Sequence, residues 1–451
     1  MARLVVIGAG VAGLAAAHAA LERDPALDVV VLERSARTGG LVETTKTTSG
    51  LVIEHGPDSL VTAKPAGLAA AKEIGLADDI LGTGPAPRRA YVVVRGAMQS
   101  MPDGMTGFAP RSVGQVLRSP LFSLKGKMRL TMEPWIRAQR DRDADESVGA
   151  FFSRRFGVEM RDYFVDPVLR GVYGASAEEL SMRSILPRLM DLEAKHGSVA
   201  KGIAIAKSPP SPTVPPIVTL RAGMESLTDA YSNKLRDRLK FNVRARRITR
   251  TRNQIYRIEL EGDGALETEK VILATPAWTS ADLLAELSPD AADVLGNMRG
   301  TSLGIVTFAF KKADIPHELH GTGFVVAAGE ALNLTACTWS SRKWNHRAPD
   351  GVELLRCFVS PQITAFRDMI EAARSDLQAL LGITAAPVFT DVTRREQALP
   401  VYTVGHLDRN ARLQACVSEF RGLALAGNAY RGLGLPDCIE SGRDAAARVL
   451  G

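Results

Sequence analysis

The residues best suited to chemistry lie in two glycine-rich stretches at opposite ends of the 451-residue chain. Near the start, Gly8-Ala9-Gly10-Val11-Ala12-Gly13 has the spacing of a dinucleotide turn. Gly8 permits the tight turn, Gly10 lets backbone approach a pyrophosphate, and Gly13 lets a helix pack closely on a strand. The phosphates would meet the positive end of that helix's dipole. Near the end, Gly427 to Cys438 supplies a second loop, with Leu433-Gly434-Leu435 at its centre. A dinucleotide with a long non-nucleotide arm needs one loop for its pyrophosphate and another for its distal ring. A chain supplying these from opposite termini folds back on itself around one extended cofactor.

The flanking elements make the first motif credible. Leu4 to Ile7 reads as a buried parallel strand, about Ala12 to Arg23 as a helix closed by Pro25, and Val29 to Leu32 as a second strand. Glu33 then stands 25 residues past Gly8, placed to accept hydrogen bonds from ribose hydroxyls. An acid there also disfavours a 2′-phosphate, so NADP is a poor fit, and the extended cofactor is read as FAD. Arg37-Thr-Gly39-Gly40 adds close backbone approach and a cation near the pyrophosphate. The alanine-rich start superficially resembles a secretory signal. It has only Arg3 ahead of it and carries His18 within it, so the phosphate-turn reading is preferred.

Bulk composition is that of a globular enzyme, 45% hydrophobic and 24% charged, and it contains no apolar run long enough to span a bilayer. Cys337, Cys357, Cys416 and Cys438 form no CxxC pair, which points to reduced thiols in a cytosolic protein and no metal framework. His317 and His320 lack a third ligand in sequence. Net charge is +6, and Pro87 to Lys207 holds 20 Lys/Arg against 13 Asp/Glu, the whole imbalance. A solvated basic surface, a channel for a polyanion and a face for acidic lipids all fit this excess. A nucleic-acid face lacks any reading motif or interleaved aromatics.

The chain reads as α/β (α+β overall). A Rossmann-like FAD-binding domain is built discontinuously from 1–85, 217–280 and 396–451, and a mixed-sheet substrate domain from 86–107 and 281–395. A helical, basic domain over 108–207 is inserted, and 208–216 forms a proline-rich loop. Helices are expected through about 112–140, 146–156 and 160–172, and a hairpin from 241–248 and 254–260. Further strands are expected at 271–276, 305–310, 324–327, 332–339 and 353–359.

With Arg37-Thr-Gly39-Gly40 added to the first motif, the sequence resembles the flavin amine-oxidase superfamily. Three further stretches resemble its protoporphyrinogen and coproporphyrinogen oxidase branch: Glu54 to Ser59, Asp166 to Gly174 with Glu179-Leu-Ser181, and Gly427 to Cys438. Ala336 to Pro349, with Leu354 to Cys357, is similar to the bacterial coproporphyrinogen-type members. The resemblance runs from Arg3 to Leu450. It implies FAD contacts at Gly8 to Gly13, Glu33, Arg34, Arg37, Gly39, Gly40, Gly56, Pro57, Asp58, Ser59 and Ala245, with Leu433, Gly434 and Leu435 at the flavin ring. It implies a substrate platform at Gly171, where a residue without a side chain admits a broad macrocycle; a helix C-cap is the compatible structural alternative. Thr338 and Phe358 fall in substrate-wall stretches, although Phe358 equally suits core packing. Ala90 stands where several relatives place a propionate-binding arginine, leaving Lys64, Arg88, Arg89 and Arg95 as candidate cations.

The activity so implied is oxygen-dependent, six-electron oxidation of a porphyrinogen in haem biosynthesis, with hydrogen peroxide as by-product. The basic 87–207 segment favours coproporphyrinogen III; protoporphyrinogen IX is the alternative. A carotenoid desaturase or amine oxidase, and a flavin-containing porphyrin carrier without turnover, are the competing readings. Implied partners are the porphyrinogen, dioxygen and a ferrochelatase receiving the product. The expected location is cytoplasmic. Met105, Phe108, Leu121 and Phe122 suggest either peripheral membrane contact or an ordinary domain interface.

Overall fold

The computed structural model describes residues 3–84, 89–102, 105–106, 108–110, 113–139, 144–206 and 214–451. The chain forms two compact units, each assembled from separated segments. The first comprises Met1–Thr83, Thr213–Arg299 and Asp408–Gly451; the second comprises Gly84–Pro212 and Gly300–Leu407.

The first unit centres on a five-stranded parallel sheet in the order Leu239–Lys240, Asp28–Leu32, Arg3–Ile7, Lys270–Leu273, Leu423–Leu425. Its central strands are continuous apolar runs because both faces are covered, one by helices and the other by a three-stranded meander with further helices. Val5 lies between Val30 and Val271 in register. The N-terminal helix, Val11–Arg23, buries every residue from Val11 to His18, and Ala20. It crosses the C-terminal helix, Leu435–Leu450, at Gly442, where an added Cβ would stand 2.1 Å from the carbonyl oxygen of Ala12. The expected hairpin is a three-stranded meander, Ala245–Arg250, Tyr256–Leu260 and Ala265–Thr268, which buries Ile248, Tyr256 and Ile258.

The second unit holds a seven-stranded mixed sheet. Its order is Phe389–Pro400, Gly300–Lys311, Val352–Val359, Leu334–Trp339, Gly323–Val326, Tyr91–Val94, Ala97–Ser100. Side chains alternate between its faces. Val306, Phe308, Leu355, Cys357, Cys337 and Trp339 pack with Met369, Ala373 and Leu377 of the helix Phe366–Leu381. Thr307, Arg356, Phe358, Thr338, Ala336 and Val325 belong to the opposite face by register.

Several expected boundaries are corrected. The helices Ala277–Leu284 and Pro289–Gly296 belong to the first unit, where Leu283, Leu284, Val294 and Leu295 join the core under the meander. Residues 396–407 belong to the second unit, because the strand Phe389–Pro400 pairs along Gly300–Lys311. The 108–207 helices are part of that unit, sharing a core in which Phe151, Phe152 and Leu169 join Val92, Ala327 and Val401. The helix expected over 112–140 is broken into Val113–Arg118 and Leu124–Thr131, with Pro120 between them. Residues 208–213 of the proline-rich loop lie outside the described residues.

Two arginines of this segment are drawn into an internal ion-pair network. Arg155, fully buried, pairs with Glu133 and lies 3.3 Å from Glu193. Glu133 also accepts from Ser198 Oγ at 2.5 Å and from the backbone N–H of Val199 at 2.9 Å. Arg154 bridges Glu146 and Glu193, both at 2.6 Å. Removing one partner strands a buried charge, so Glu133→Ala is expected to destabilise the protein by about 3–5 kcal/mol. Chemical denaturation would measure it; a loss below ~1 kcal/mol would mean that the pair is not integral to the fold.

Candidate flavin cradle and macrocycle wall

The cradle in the first unit is built from backbone that side chains would block. Gly8 has φ +103°, and its N–H donates to the carbonyl of Leu32 at 2.8 Å. A Cβ on Gly13 would lie 1.9 Å from the Gly8 oxygen, so only glycine allows the helix to start this close to the strand. At Gly10, by contrast, a Cβ would meet nothing within 4 Å: the open space lies over the phosphate turn. No side chain caps the N-terminal helix, and its first turn has no acid. Its orphan N–H groups and positive dipole end are therefore suited to an anion. Gly39, at φ +98°, bridges to Gly10 and donates to the carbonyl of Ala9 at 2.9 Å, so the two loops form one surface.

Glu33 is buried at the end of its strand. It accepts from the N–H of Ala9 at 2.9 Å through one oxygen, and from the N–H and Oγ of Ser35 at 2.9 and 2.7 Å through the other. A carboxylate has about four acceptor sites, so capacity remains for a ribose hydroxyl. Arg34 is exposed beside it. Arg37 is placed differently from the expected phosphate cation. Its terminal nitrogens donate to the carbonyls of Thr38, Val42 and Gly40 at 2.9, 3.1 and 2.8 Å, and to Glu43 at 3.0 Å. The guanidinium braces the Gly39-Gly40 loop.

Gly56 approaches Leu41 so closely that a Cβ would stand 1.9 Å from its oxygen. Pro57 follows in this loop, Ser59 donates to Asp58 at 2.8 Å, and the Asp58 carbonyl accepts from Thr219 at 2.8 Å. Ala245 opens its strand at an irregularity in pairing, partly buried in the meander's core.

At the other terminus, Gly434 precedes the C-terminal helix between Leu433 and Leu435. Its N–H donates to Asp437 at 3.1 Å, so Asp437 occupies that donor. Asp437 also receives Lys64 Nζ at 2.7 Å on both oxygens. Lys64, a propionate candidate by sequence, thus has its ammonium on a carboxylate at the helix start. Burial, reinforced by the Asp437 charge, pushes the Cys438 thiol up to about 12.

The macrocycle-wall candidates lie in the second unit. Gly171 sits in the helix Asp166–Tyr173, which follows a π-helical turn over Arg161–Val165. A Cβ there would reach Val325 at 3.4 Å and Ala336 at 3.9 Å. Gly174, at φ +65°, is the C-cap, so the capping role expected of Gly171 belongs three residues later. Thr338 and Phe358 share the sheet face of Ala336, and Arg356 stacks on the Phe358 ring at 4.8 Å. Arg89 is exposed, with its carbonyl held by Thr322 at 2.8 Å. Arg95 lies over the Tyr163 ring at 4.8 Å. Arg88 lies outside the described residues. His317 accepts from the N–H of Leu319 and packs against Trp339, while His320 pairs with Glu318.

Sequence reasoning missed Ser35, Asp437 and Gly442. Asp437 carried a usable signal, three residues after a glycine before a helix. The other two partners depend on contacts that only folding reveals.

A glycine turn on an uncapped helix, a ribose-side acid and a second loop from the far terminus define a flavin-dependent oxidoreductase. A family model described as flavin containing amine oxidoreductase matches residues 11–450, and the chain belongs to that family. The chain is 32% identical over 468 residues to coproporphyrinogen III oxidase of Bacillus subtilis (strain 168), covering 99% of this chain and 97% of that protein. It is 30% identical over 489 residues to protoporphyrinogen oxidase of Macaca fascicularis, covering 99% and 98%. A solved structure from Exiguobacterium sp. 255-15, assigned by name to the protoporphyrinogen oxidases, aligns with TM-score 0.88 at 29% identity over 99% of this chain and 98% of that one.

Glu33→Ala leaves the Ala9 and Ser35 N–H groups unpaired and removes the ribose acceptor. FAD affinity should fall at least about tenfold, the equivalent of roughly 1.4 kcal/mol, in a fluorescence titration of deflavinated protein. Unchanged affinity would remove Glu33 from the cradle.

Proposed function

We propose that this protein oxidises coproporphyrinogen III to coproporphyrin III in haem biosynthesis, using FAD and dioxygen. The observation that carries the reading is the side-chain-free face of Gly171 against Val325 and Ala336, in a chain similar end to end to coproporphyrinogen III oxidases. The FAD contacts proposed are the Gly8–Gly13 turn, Glu33, Arg34, the Arg37-braced Gly39-Gly40 loop, Gly56 to Ser59, Ala245, and Leu433 to Leu435.

The Gly8–Gly13 turn, Glu33 and the Leu433–Leu435 loop would hold FAD, which would supply two-electron hydride acceptance from a saturated meso carbon and reoxidation by dioxygen. Six electrons therefore require three cycles, consuming three dioxygen molecules and releasing three of hydrogen peroxide. The chain's own groups bind and orient. The missing side chain at Gly171 lets this helix lie close to the sheet face proposed as the substrate wall, and its carbonyl stands three residues before the C-cap. Val325 and Ala336 support it, with Thr338 and Phe358 on the same sheet face. A downstream iron-inserting partner for the product, such as a ferrochelatase, is part of this reading.

Arg154 and Arg155 are held by Glu133, Glu146 and Glu193, so they contribute nothing to the segment's basic excess, which resides on its other cations. The preference for coproporphyrinogen rests on the bacterial relatives of that activity. Among the described residues, no helix is long and apolar enough to cross a membrane. Leu121 and Phe122 are buried, which removes them from a lipid-facing role. Leu124, Met128 and Trp135 are instead 85%, 61% and 79% exposed, beside Lys125 and Lys127. This pattern supports a peripheral membrane face as part of the proposed reading.

Anaerobically prepared coproporphyrinogen, mixed with enzyme and air, should yield red porphyrin fluorescence and peroxide above the no-enzyme control. Faster turnover of protoporphyrinogen would reassign the substrate, and binding without turnover would support a carrier. Gly171→Leu should lose most activity while retaining FAD, whereas Gly171→Ala, at ordinary contact distances, should keep a measurable share. Normal kinetics for the leucine variant would reject the platform. Sedimentation with anionic vesicles should be weakened by Trp135→Ala; equal sedimentation would reject lipid contact at that face.

A further inference from the structure

We propose that Arg170 is a specificity-determining residue that binds a propionate of the macrocycle, an inference resting on the porphyrinogen reading above. Its Nε donates to Asp166 at 2.6 Å, one helical turn earlier. Asp166 is itself buried, and its second oxygen accepts the N–H of Ala177 at 2.7 Å. The carboxylate is therefore fixed from both sides of the helix Asp166–Tyr173, and it fixes the plane of the guanidinium. An arginine held through Nε still presents both terminal nitrogens, and those two can meet a second carboxylate in the bidentate geometry that suits a guanidinium.

The surroundings favour an amphiphilic ligand. Arg170 immediately precedes Gly171, roughly 100° around the helix. Its side chain is 39% exposed, and Val172 on the other side of Gly171 is 58% exposed. One short stretch thus presents a braced cation, a residue without a side chain and an uncovered apolar side chain. A flat apolar ring edged by carboxylates matches all three. The other cations are less suited: Lys64 is neutralised by Asp437, Arg95 lies over Tyr163, and Arg356 is buried against Phe358. Ala90 offers no charge.

Asp166 acts through Arg170 as a positioning residue. A free fork loses more orientation than charge, so Asp166→Asn should weaken carboxylate recognition less than removal of Arg170.

The test compares coproporphyrin III with its tetramethyl ester, which has the same ring but no carboxylates, binding to FAD-loaded wild type and Arg170→Gln. Binding is read by quenching of porphyrin fluorescence, independently of turnover. Arg170→Gln should weaken coproporphyrin binding about tenfold, leave ester binding within about twofold, and retain FAD absorbance. Arg170→Lys should restore only part of the loss. Equal weakening for both ligands would show a structural role, and unchanged binding of both would place the propionates elsewhere; either overturns the proposal. Wild type that binds neither ligand and oxidises no porphyrinogen would instead refute the underlying function.

Discussion

The flavin cradle depends on two helices from opposite ends of the chain touching backbone to backbone. Gly442 of the C-terminal helix lies against the carbonyl of Ala12, and Gly13 of the N-terminal helix lies against that of Gly8. No side chain larger than hydrogen fits at either contact without displacing main chain. This close crossing brings the Leu433-Gly434-Leu435 loop into the same unit as the phosphate turn. Gly67, whose Cβ would come within 2.8 Å of Pro436, extends the constraint to the helix Pro65–Glu73. Surrounding side chains reinforce the backbone arrangement: Glu33 holds Ala9, Arg37 holds the loop after it, and Asp437 holds Gly434 with help from Lys64.

The second unit solves a different problem. Its sheet buries one face under a long helix, while its helical region carries many charges into a small core. Arg154, Arg155, Glu133, Glu146 and Glu193 form a network in which each charge is paired. Such a network adds little net stability over apolar packing, but it penalises any arrangement that separates the partners. Asp166 repeats the device on a smaller scale beside Gly171, where it leaves a guanidinium directed by one bond and open at its far end.

Much of the first unit was legible in sequence because its signals are local. Leu4 to Ile7, the glycine spacing and Glu33 specify a strand, turn, helix and acid within thirty-odd residues. The parallel order of five strands and the pairing of Lys270–Leu273 beside Arg3–Ile7 required the fold. The partners of Lys64 and Arg37 were not legible for the same reason: charge is visible in sequence, but what it pairs with is not. Lys64 lies 373 positions from Asp437, and no local pattern links them. The basic excess between Pro87 and Lys207 likewise said nothing about which arginines point inward. Gly171 was legible as a residue without a side chain, but its neighbours Val325 and Ala336 come from strands more than 150 residues away.

The central claim is that both termini grip one FAD per chain. Purified protein should show the absorbance of oxidised flavin near one equivalent, and deflavinated protein should regain that band and gain thermal stability on adding FAD. A chain that remains colourless after FAD is supplied, with no shift in its melting transition, would contradict it.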